Sequence, residues 1–272
     1  MPGNEIQKIT VFIPVWNGAR FIGRAIESVL CQTFRDFRLV IVDNCSTDNT
    51  REIVTRYLAD DRVVFCPRPK NIGMLGNFNA CLDDVETEYY LVLSHDDFLC
   101  ADIALAAAYN IAKTHTEVPA IYCETLFVDE DDKLIARRHF GLSGLVDSDI
   151  IARRSIISGR NLYGVPLLIR TSALADIRYD SSFPNSCDVD FSIAIGKGKN
   201  VIFIPEALVA IRFHRSNNTA RIFKSLETEF KGIAQKQGIR LTRGDVARIK
   251  ISNLMVGLKK KLFFFYLDKI RK

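Results

Sequence analysis

Strand-like apolar runs alternate with helix-period segments through the first hundred residues, and this alternation most strongly constrains the fold. The run at 39–42 is apolar at every position, as expected for a parallel strand buried on both faces. Between the first two runs, Ile22, Ala25, Ile26 and Val29 recur at helical spacing. This βαβαβαβ order predicts an α/β fold, a doubly wound, mostly parallel (mixed) sheet flanked by helices. The four strand-like runs are 9–13, 39–42, 62–65 and 89–93.

The second half of the chain is patterned less regularly. We expect a helix over 188–195, ended by Gly196 and Gly198, and a polar turn at 129–132. In the first half, Pro14 is expected to end the first strand, because proline lacks the N–H that a ladder needs. No repeat or linker separates the halves, so one sheet and one core are predicted. Further strands are predicted at 120–123, 133–136, 165–169 and 201–204.

Composition is that of a soluble globular protein, with 48% hydrophobic and 25% charged residues. No apolar run approaches the ~20 residues of a membrane span, and the first residues do not resemble a secretory signal. The seven cysteines are odd in number and lack Cys-x-x-Cys spacing. We therefore expect reduced thiols in a cytoplasmic protein, without a zinc site or a disulfide framework.

The net charge of +5 is concentrated at the C-terminus, where residues 222–272 contain 13 Lys and Arg against 4 Asp and Glu. The segment 255–272 combines three consecutive lysines with three consecutive phenylalanines. Such a segment suits an amphipathic helix on an anionic membrane face, which would make the protein peripheral on the inner face of the cytoplasmic membrane. The alternative is a terminal helix docked on the body or in a dimer interface.

The strand at 89–93 ends in Ser94-His95-Asp96-Asp97. Two adjacent carboxylates at a strand end need a compensating charge, and ligands of α/β sheets bind outside the carboxyl ends of the strands. A Mg²⁺ or Mn²⁺ ion carrying a phosphate would supply that charge; the alternative is a turn that caps the next helix. A Ser-His-Asp triad is excluded, because consecutive residues of an extended strand point to opposite faces.

Asp43 ends the second strand, where nucleotide binders place an acid for the ribose, although a simple turn is the alternative. Neither a P-loop nor a Gly-x-Gly-x-x-Gly motif is present, which argues against P-loop ATPases and dinucleotide oxidoreductases. Polar clusters nevertheless follow three successive strands, and this coincidence favours a nucleotide site.

Short motifs in a fixed order give the sequence a specific resemblance. It resembles family 2 glycosyltransferases, the inverting enzymes of the GT-A fold, of the type that makes bacterial surface polysaccharides. The resemblance covers roughly residues 9–219. The motifs are VFIPVWN at 11–17, QT at 32–33, IVDNCSTD at 41–48, NIG at 71–73, SHDD at 94–97, CDVD at 187–190, IPEAL at 204–208 and RFH at 212–214.

The resemblance implies transfer of a sugar, with inversion, from a nucleotide-diphosphate donor to a hydroxyl of a saccharide or lipid-linked saccharide acceptor. It implies a role in cell-surface polysaccharide or glycolipid assembly, and no nucleic-acid partner is expected. Residues 1–110 would form the nucleotide-sugar-binding half of a single domain and 111–220 the acceptor-binding half, followed by a basic helical tail over 221–272.

The resemblance also implies a role for individual residues. Asp188 would be the general base, unless it only caps its helix, and Asp190 and Arg212 are secondary candidates. His95 is expected to pack beside the site, whereas His214 is either a metal or pyrophosphate contact or structural. The implied donor-binding residues are Pro14, Val15, Asn17, Asp43, Asn71, Ser94, His95 and Asp96, and the implied ligands of Mg²⁺ or Mn²⁺ are Asp96, Asp97 and His214.

Three positions depart from the family pattern. Ser94 replaces the first acid of Asp-x-Asp, Gly18 stands where an acid often follows Asn17, and Cys187 replaces the glutamate before the base. Two other functions remain as alternatives. A sugar-nucleotide nucleotidyltransferase would need a glycine-rich triphosphate loop, which is absent, and a non-catalytic membrane or nucleic-acid-binding module would show no metal dependence.

Overall fold

The computed structural model describes residues 7–214, 226–252 and 254. Ten strands and eight α-helices are described along the chain, in an order that alternates at first and then becomes irregular. In sequence they are β1 (Ile9–Val15), α1 (Ile22–Leu30), β2 (Phe37–Asp43), α2 (Thr50–Thr55), β3 (Val63–Pro67), α3 (Met74–Asp83), β4 (Tyr89–Val92), β5 (Phe98–Leu99), α4 (Ala104–Thr114), β6 (Ala120–Val128), β7 (Leu134–Arg138), β8 (Gly144–Asp147), α5 (Ser148–Ser158), β9 (Pro166–Arg170), α6 (Cys187–Gly196), β10 (Asn200–Arg212), α7 (Leu226–Gln237) and α8, which includes residues 243–252.

The strands form a single mixed sheet in the order β3-β2-β1-β4-β9-β6-β10-β5, with β7 added beside β6 and β8 beside β10. β1 to β4 are parallel, and β9 is antiparallel to both of its neighbours, β4 and β6. β6 and β10 are parallel to each other. β5 and β8 are antiparallel to β10 and β7 is antiparallel to β6, so six of the ten described strands run in one direction. The predicted mixed sheet flanked by helices is therefore confirmed.

Helices cover both faces of the sheet, and the strand residues alternate between two cores. Ile13 of β1 packs in the core beneath α1 and α4, whereas its neighbour Phe12 packs in the core beneath α3, α5, α6 and α7. Because successive side chains of a strand point to opposite faces, one apolar run can serve both cores. This explains why the parallel strands are continuously apolar.

The prediction that Pro14 ends the first strand is wrong. β1 continues through Pro14, which pairs with Val42 of β2 in register. The carbonyl of Phe12 accepts a hydrogen bond from the N–H of Leu93, just after β4. Pro14 is two residues further along β1, so its backbone nitrogen also points toward the β4 side of the strand. β4 ends at Val92, so no ladder bond is lost where proline lacks its N–H.

The strand predicted at 201–204 is much longer in the structure. β10 runs over 13 residues, because register shifts between Ile204 and Val209 accommodate Pro205 and Glu206 without ending the strand. The sequence pattern also missed the short strands β5 and β8 and the helices α4 and α5. Two- and four-residue strands carry too few side chains to show a period.

The first part of the segment assigned to the basic tail packs on the body. Phe230, Ile233 and Ala234 of α7 are buried in the core that α6 shares, and Ile249 of α8 joins them. Among the described helices, none has the length and apolarity that a membrane span requires. The segment 255–272, for which we predict either membrane contact or docking, lies outside the described residues.

We expect Phe230→Ala to lower the free energy of unfolding by about 3–5 kcal/mol, because the ring is 2% exposed and its removal leaves a cavity. Urea denaturation of the full chain measures this. The control is Leu134→Ala, whose side chain is 64% exposed and whose effect should stay within ~0.5 kcal/mol. Equal effects of the two substitutions would show that α7 does not belong to the core.

Candidate active site

The strand directions bring the predicted polar segments to one edge of the sheet. Because β9 is antiparallel to both β4 and β6, β6 and β10 run in the same direction as β1 to β4. Their carboxyl ends therefore point to a common edge, where ligands of open α/β sheets bind. The segments that leave the sheet there are 16–18, 44–48, 68–73, 94–97, 129–132 and 213–214.

Asp43 lies at the end of β2, beside Val15 of β1, and is 4% exposed. Its Oδ1 accepts hydrogen bonds from the backbone N–H and the hydroxyl of Ser46, at 3.1 and 2.5 Å. Within the described part of the chain, Oδ2 accepts no hydrogen bond. Both the predicted turn and a free carboxylate oxygen are thus present, and the nucleotide contact of Asp43 stays a prediction.

Asn17 joins the loop after β1 to the loop after β2. Its φ of 52° lies in the left-handed region, which asparagine tolerates better than most residues. Its Oδ1 accepts a bond from the N–H of Thr47 at 2.8 Å, and its own N–H donates to Ser46 Oγ at 2.9 Å. Asn17 therefore holds the two loops together, and its contact with a donor stays a prediction.

Asn44 is a site residue that the sequence analysis missed. It is 2% exposed, its Oδ1 accepts from the N–H of Ile72 at 2.9 Å, and its Nδ2 donates to Asn71 Oδ1 at 2.9 Å. Asn71 Oδ1 also accepts from the N–H of Gly73 at 2.8 Å. Asn44 thus holds the loop after β3, and the amide of the predicted donor contact Asn71 is part of that link.

Asp96 and His214 come together from distant parts of the sequence. Asp96 Oδ2 lies 2.9 Å from His214 Nε2, and the His214 ring lies 4.9 Å from the ring of Phe21. Burial opposes ionisation of Asp96, but the hydrogen bond with His214 and the neighbouring imidazoles of His95 and His214 lower its pKa overall. Two of the three residues predicted as metal ligands are therefore neighbours, with Asp96 ionised.

Asp97 has a different environment from Asp96. Its Oδ1 accepts from the backbone N–H of Arg212 at 3.0 Å. Burial and the adjacent charge of Asp96 raise the pKa of Asp97 well above its ordinary value. The structure thus engages one of its oxygens in holding β10, and its role as a metal ligand stays a prediction.

Arg212 links the segments that follow β4 and β6 at this edge of the sheet. It is 2% exposed, its Nε donates to the carbonyl of Asp96 at 3.0 Å, and it forms an ion pair with Asp132. Its Nη1 also donates to the carbonyls of Asp129 and Glu130, at 3.2 and 3.3 Å. The turn predicted at 129–132 therefore compensates a buried guanidinium, through the carboxylate of Asp132 and the carbonyls of Asp129 and Glu130.

Asp188 lies in the first turn of α6, which begins at Cys187 after the N-terminal flanking residue Ser186. The alternative that Asp188 caps the helix is therefore wrong by two positions. Its Oδ2 accepts from Asn161 Nδ2 at 2.7 Å, and its side chain is accessible to solvent. Protein atoms packed around it desolvate the carboxyl, and this raises its pKa above the ordinary value.

Asp190, the secondary candidate for the base, has both oxygens occupied. Oδ2 accepts from Lys236 Nζ at 2.6 Å and Oδ1 from Gln237 Nε2 at 2.7 Å, and the residue is 1% exposed. This arrangement argues against Asp190 as the base, because a base needs a free and accessible oxygen. Its carboxylate connects α6 to α7.

Residues 10–174 match the family model described as Glycosyl transferase family 2. The chain belongs to this family. A protein of Rickettsia prowazekii named as an uncharacterized glycosyltransferase is 24% identical over 262 residues, which cover 93% of this chain and 80% of that protein.

Solved structures show the same fold. TarS 1-349 of S. aureus in complex with UDP-GlcNAc superposes with a TM-score of 0.69 at 19% identity, over 89% of this chain and 70% of that chain. The mannosyltransferase PcManGT of Pyrobaculum calidifontis in complex with GDP-Man and Mn²⁺ gives 0.61 at 14% identity, over 98% and 81%. The expectation of a GT-A fold is confirmed.

One departure from the family pattern now has a physical reason. A Cβ atom on Gly18 would lie 2.5 Å from Cδ2 of His95 and 2.5 Å from Cγ2 of Val15. The His95 ring is held by a hydrogen bond with the carbonyl of Pro14, and burial lowers its pKa, which favours the neutral form. The His95 ring therefore occupies the space that a side chain at position 18 would need, and its contact with a donor stays a prediction.

The side chains of this edge fit a divalent cation that binds together with its substrate. Within residues 7–214 and 226–252, no group of three His, Cys, Asp or Glu side chains is placed to hold a metal ion. The pair of Asp96 and His214 supplies one oxygen and one nitrogen. Mg²⁺ is commonly bound by one or two carboxylates, with water and substrate phosphates completing its shell. Two protein ligands are therefore sufficient for a cation that shares a diphosphate.

Gly18→Ala should lower the free energy of unfolding by about 1–3 kcal/mol, because the added methyl group overpacks a site bounded by a strand residue and a hydrogen-bonded ring. Urea denaturation measures the change. Gly244→Ala is the matched control, since its nearest neighbour would lie 3.7 Å away. If both substitutions leave stability unchanged, the close packing of His95 on Gly18 is not present in solution.

Proposed function

We propose that this family 2 glycosyltransferase transfers a sugar, with inversion, from a nucleoside-diphosphate donor to an acceptor hydroxyl. The observation that carries the proposal is the Asp96–His214 pair, at the same sheet edge as Asp43, whose Oδ2 accepts no hydrogen bond from the described residues. The Asp96–His214 pair suits a cation on the diphosphate, and the Asp43 carboxylate suits a hydrogen-bond donor of the ribose or base. Complexes of fold neighbours with UDP-GlcNAc and with GDP-Man support a donor of this class.

Asp96 and His214 would hold the divalent cation, with Asp97 beside them. When bound, a Mg²⁺ or Mn²⁺ ion offsets the negative charge that develops on the leaving diphosphate. The chain itself keeps this pair in place through Arg212, which bonds the carbonyl of Asp96. Ser94, in place of the family's usual acid, would offer the donor a hydroxyl.

Asp188 would remove the proton of the acceptor hydroxyl as that oxygen attacks the anomeric carbon. Its side chain is accessible, and desolvation raises its pKa. A higher pKa makes the carboxylate a stronger base, and it lies closer to the pH at which the base must work. The bonds of Asp190 to α7 argue against this role for it, and they support Asp188 as the carboxylate of the CDVD motif that faces a substrate.

For the acceptor, we propose a saccharide or a lipid-linked saccharide used in cell-surface polysaccharide or glycolipid assembly. The support is the composition of 255–272, in which lysines flank phenylalanines, as in segments that lie on anionic membranes. A lipid-linked acceptor at the inner face of the cytoplasmic membrane would be within reach of a protein attached in this way.

The function is tested by incubating the protein with UDP-, dTDP- and GDP-sugars plus Mn²⁺ or Mg²⁺, and measuring thermal stabilisation and release of nucleoside diphosphate. We expect one donor class to raise the melting temperature and to be cleaved. Absence of binding and of cleavage with every sugar nucleotide would contradict the proposal.

Asp188→Asn should reduce kcat by roughly 10²–10⁴ and leave donor affinity nearly unchanged, since only proton removal is lost. Wild-type kcat should fall as the pH drops through the raised pKa of Asp188, because the protonated carboxyl accepts no proton. Steady-state kinetics against pH, with calorimetry of the nucleoside diphosphate, measure both effects. Asp190→Asn is the comparison: if it, and not Asp188→Asn, abolishes turnover in a folded protein, the base is misassigned.

Asp96→Ala should abolish the Mn²⁺-dependent part of nucleoside-diphosphate binding, because one of the two nearest cation ligands is lost. Calorimetry with the nucleoside diphosphate of the cleaved donor, in Mn²⁺ and in EDTA, measures it. Asp131→Ala removes the same charge from an exposed position of the 129–132 turn and should bind normally. Equal affinities of wild type in Mn²⁺ and in EDTA would contradict the cation assignment.

A further inference from the structure

The carboxylate of Asp188 is held by two different elements. Its Oδ2 accepts from the side-chain amide of Asn161 at 2.7 Å, and its Oδ1 accepts from the N–H of Val189 at 2.9 Å. A carboxylate has about four lone-pair positions, so each oxygen keeps capacity for a further donor. The plane of the group is therefore fixed while an acceptor hydroxyl can still reach it.

The orientation of the Asn161 amide is itself determined by the backbone. Its Oδ1 accepts from the N–H groups of Tyr163 and Gly164, at 2.8 and 3.0 Å, and its Nδ2 also donates to the Gly164 carbonyl at 3.1 Å. Since two N–H donors require an oxygen on that side, the NH₂ group must face Asp188.

The turn that contains Asn161 is anchored in the core. The Tyr163 ring is fully buried, and its hydroxyl donates to the carbonyl of Ser148 at 2.8 Å. Gly164 has a φ of 79°, and a Cβ there would lie 2.7 Å from the ring of Phe140. The amide thus acts from a rigid support, which positioning of a reactive group requires.

The charged and titratable groups around Asp188 come from three segments. Arg138 of β7 bonds the Asn161 carbonyl, lies 4.7 Å from the Phe140 ring and favours the ionised form of Asp188. Tyr179 and Cys187 face it from before and within α6. Within the described residues Arg138 forms no ion pair shorter than 4 Å. The described side chain that hydrogen-bonds the Asp188 carboxylate is Asn161.

We propose that Asn161 is a positioning residue that fixes the direction of the Asp188 carboxylate and favours its ionised, proton-accepting form. This inference rests on the proposed role of Asp188 as the base. It predicts that Asn161 affects the protonation of Asp188 and proton removal, but not the binding of the donor.

Asn161→Asp tests the inference with little change of shape. The aspartate keeps an oxygen for the N–H groups of Tyr163 and Gly164, but it replaces the NH₂ donor by an oxygen facing Asp188. We expect the pKa of Asp188 to rise by at least about one unit, and kcat at low pH to fall roughly tenfold for each unit. Asn110→Asp, on the exposed part of α4, adds the same charge as a control and should change neither.

The protonation of Asp188 is read directly by NMR titration of ¹³C-labelled aspartate carboxyl groups, with Asp188→Asn for assignment. A second measurement needs no altered fold: in the wild type, the side-chain amide signals of Asn161 should shift with the midpoint of Asp188. An unchanged midpoint in Asn161→Asp, or wild-type amide signals that do not follow Asp188, would overturn the inference. Normal turnover of Asp188→Asn would instead overturn the proposed base, so the two failures are distinguishable.

Discussion

The edge of the sheet that carries the candidate donor site depends on one buried cation, the guanidinium of Arg212. A buried charge is tolerated only when it is paired and hydrogen-bonded, and here its partners are Asp132 and the carbonyls of Asp96, Asp129 and Glu130. These groups belong to the ends of β4, β6 and β10. Compensating a single charge therefore fixes three strand ends relative to each other, and it places His214, two residues further on, beside Asp96.

The acidic residues discussed above differ in how many of their carboxylate oxygens accept hydrogen bonds from the protein. Asp190 and Glu229 are buried and hydrogen-bonded by neighbouring elements, and both serve the packing of α6 and α7. Asp96 and Asp188 keep lone pairs that can still accept a ligand. Such free lone pairs are what a site needs where a substrate or a cation is to bind.

What the sequence predicts depends on how far apart the interacting residues are. The apolar runs of β1 to β4 are local, so their order and the sheet type follow from pattern, and the motif at 94–97 follows from its position after β4. Asn161 and Asp188 are 27 residues apart, and Asp190 and Lys236 are 46 residues apart. No local period links such pairs, so neither the support of Asp188 nor the exclusion of Asp190 is visible before the chain is folded.

The helix that carries Asp188, α6, is held by α7, and both helices lie beyond residues 10–174, which the family model matches. Glu229 of α7 accepts from the backbone N–H of Asn185 at 3.0 Å and from Ser186 Oγ at 2.7 Å, three and two residues before Asp188. Lys236 and Gln237, at the other end of α7, bind Asp190, two residues after Asp188. α7 therefore restrains α6 on both sides of Asp188. The position of Asp188 matters for the proposed reaction, because a misplacement of about 1 Å can lower a rate 10²-fold. It follows that changes in α7 can alter the placement of the proposed base while the candidate donor site at the strand ends stays the same.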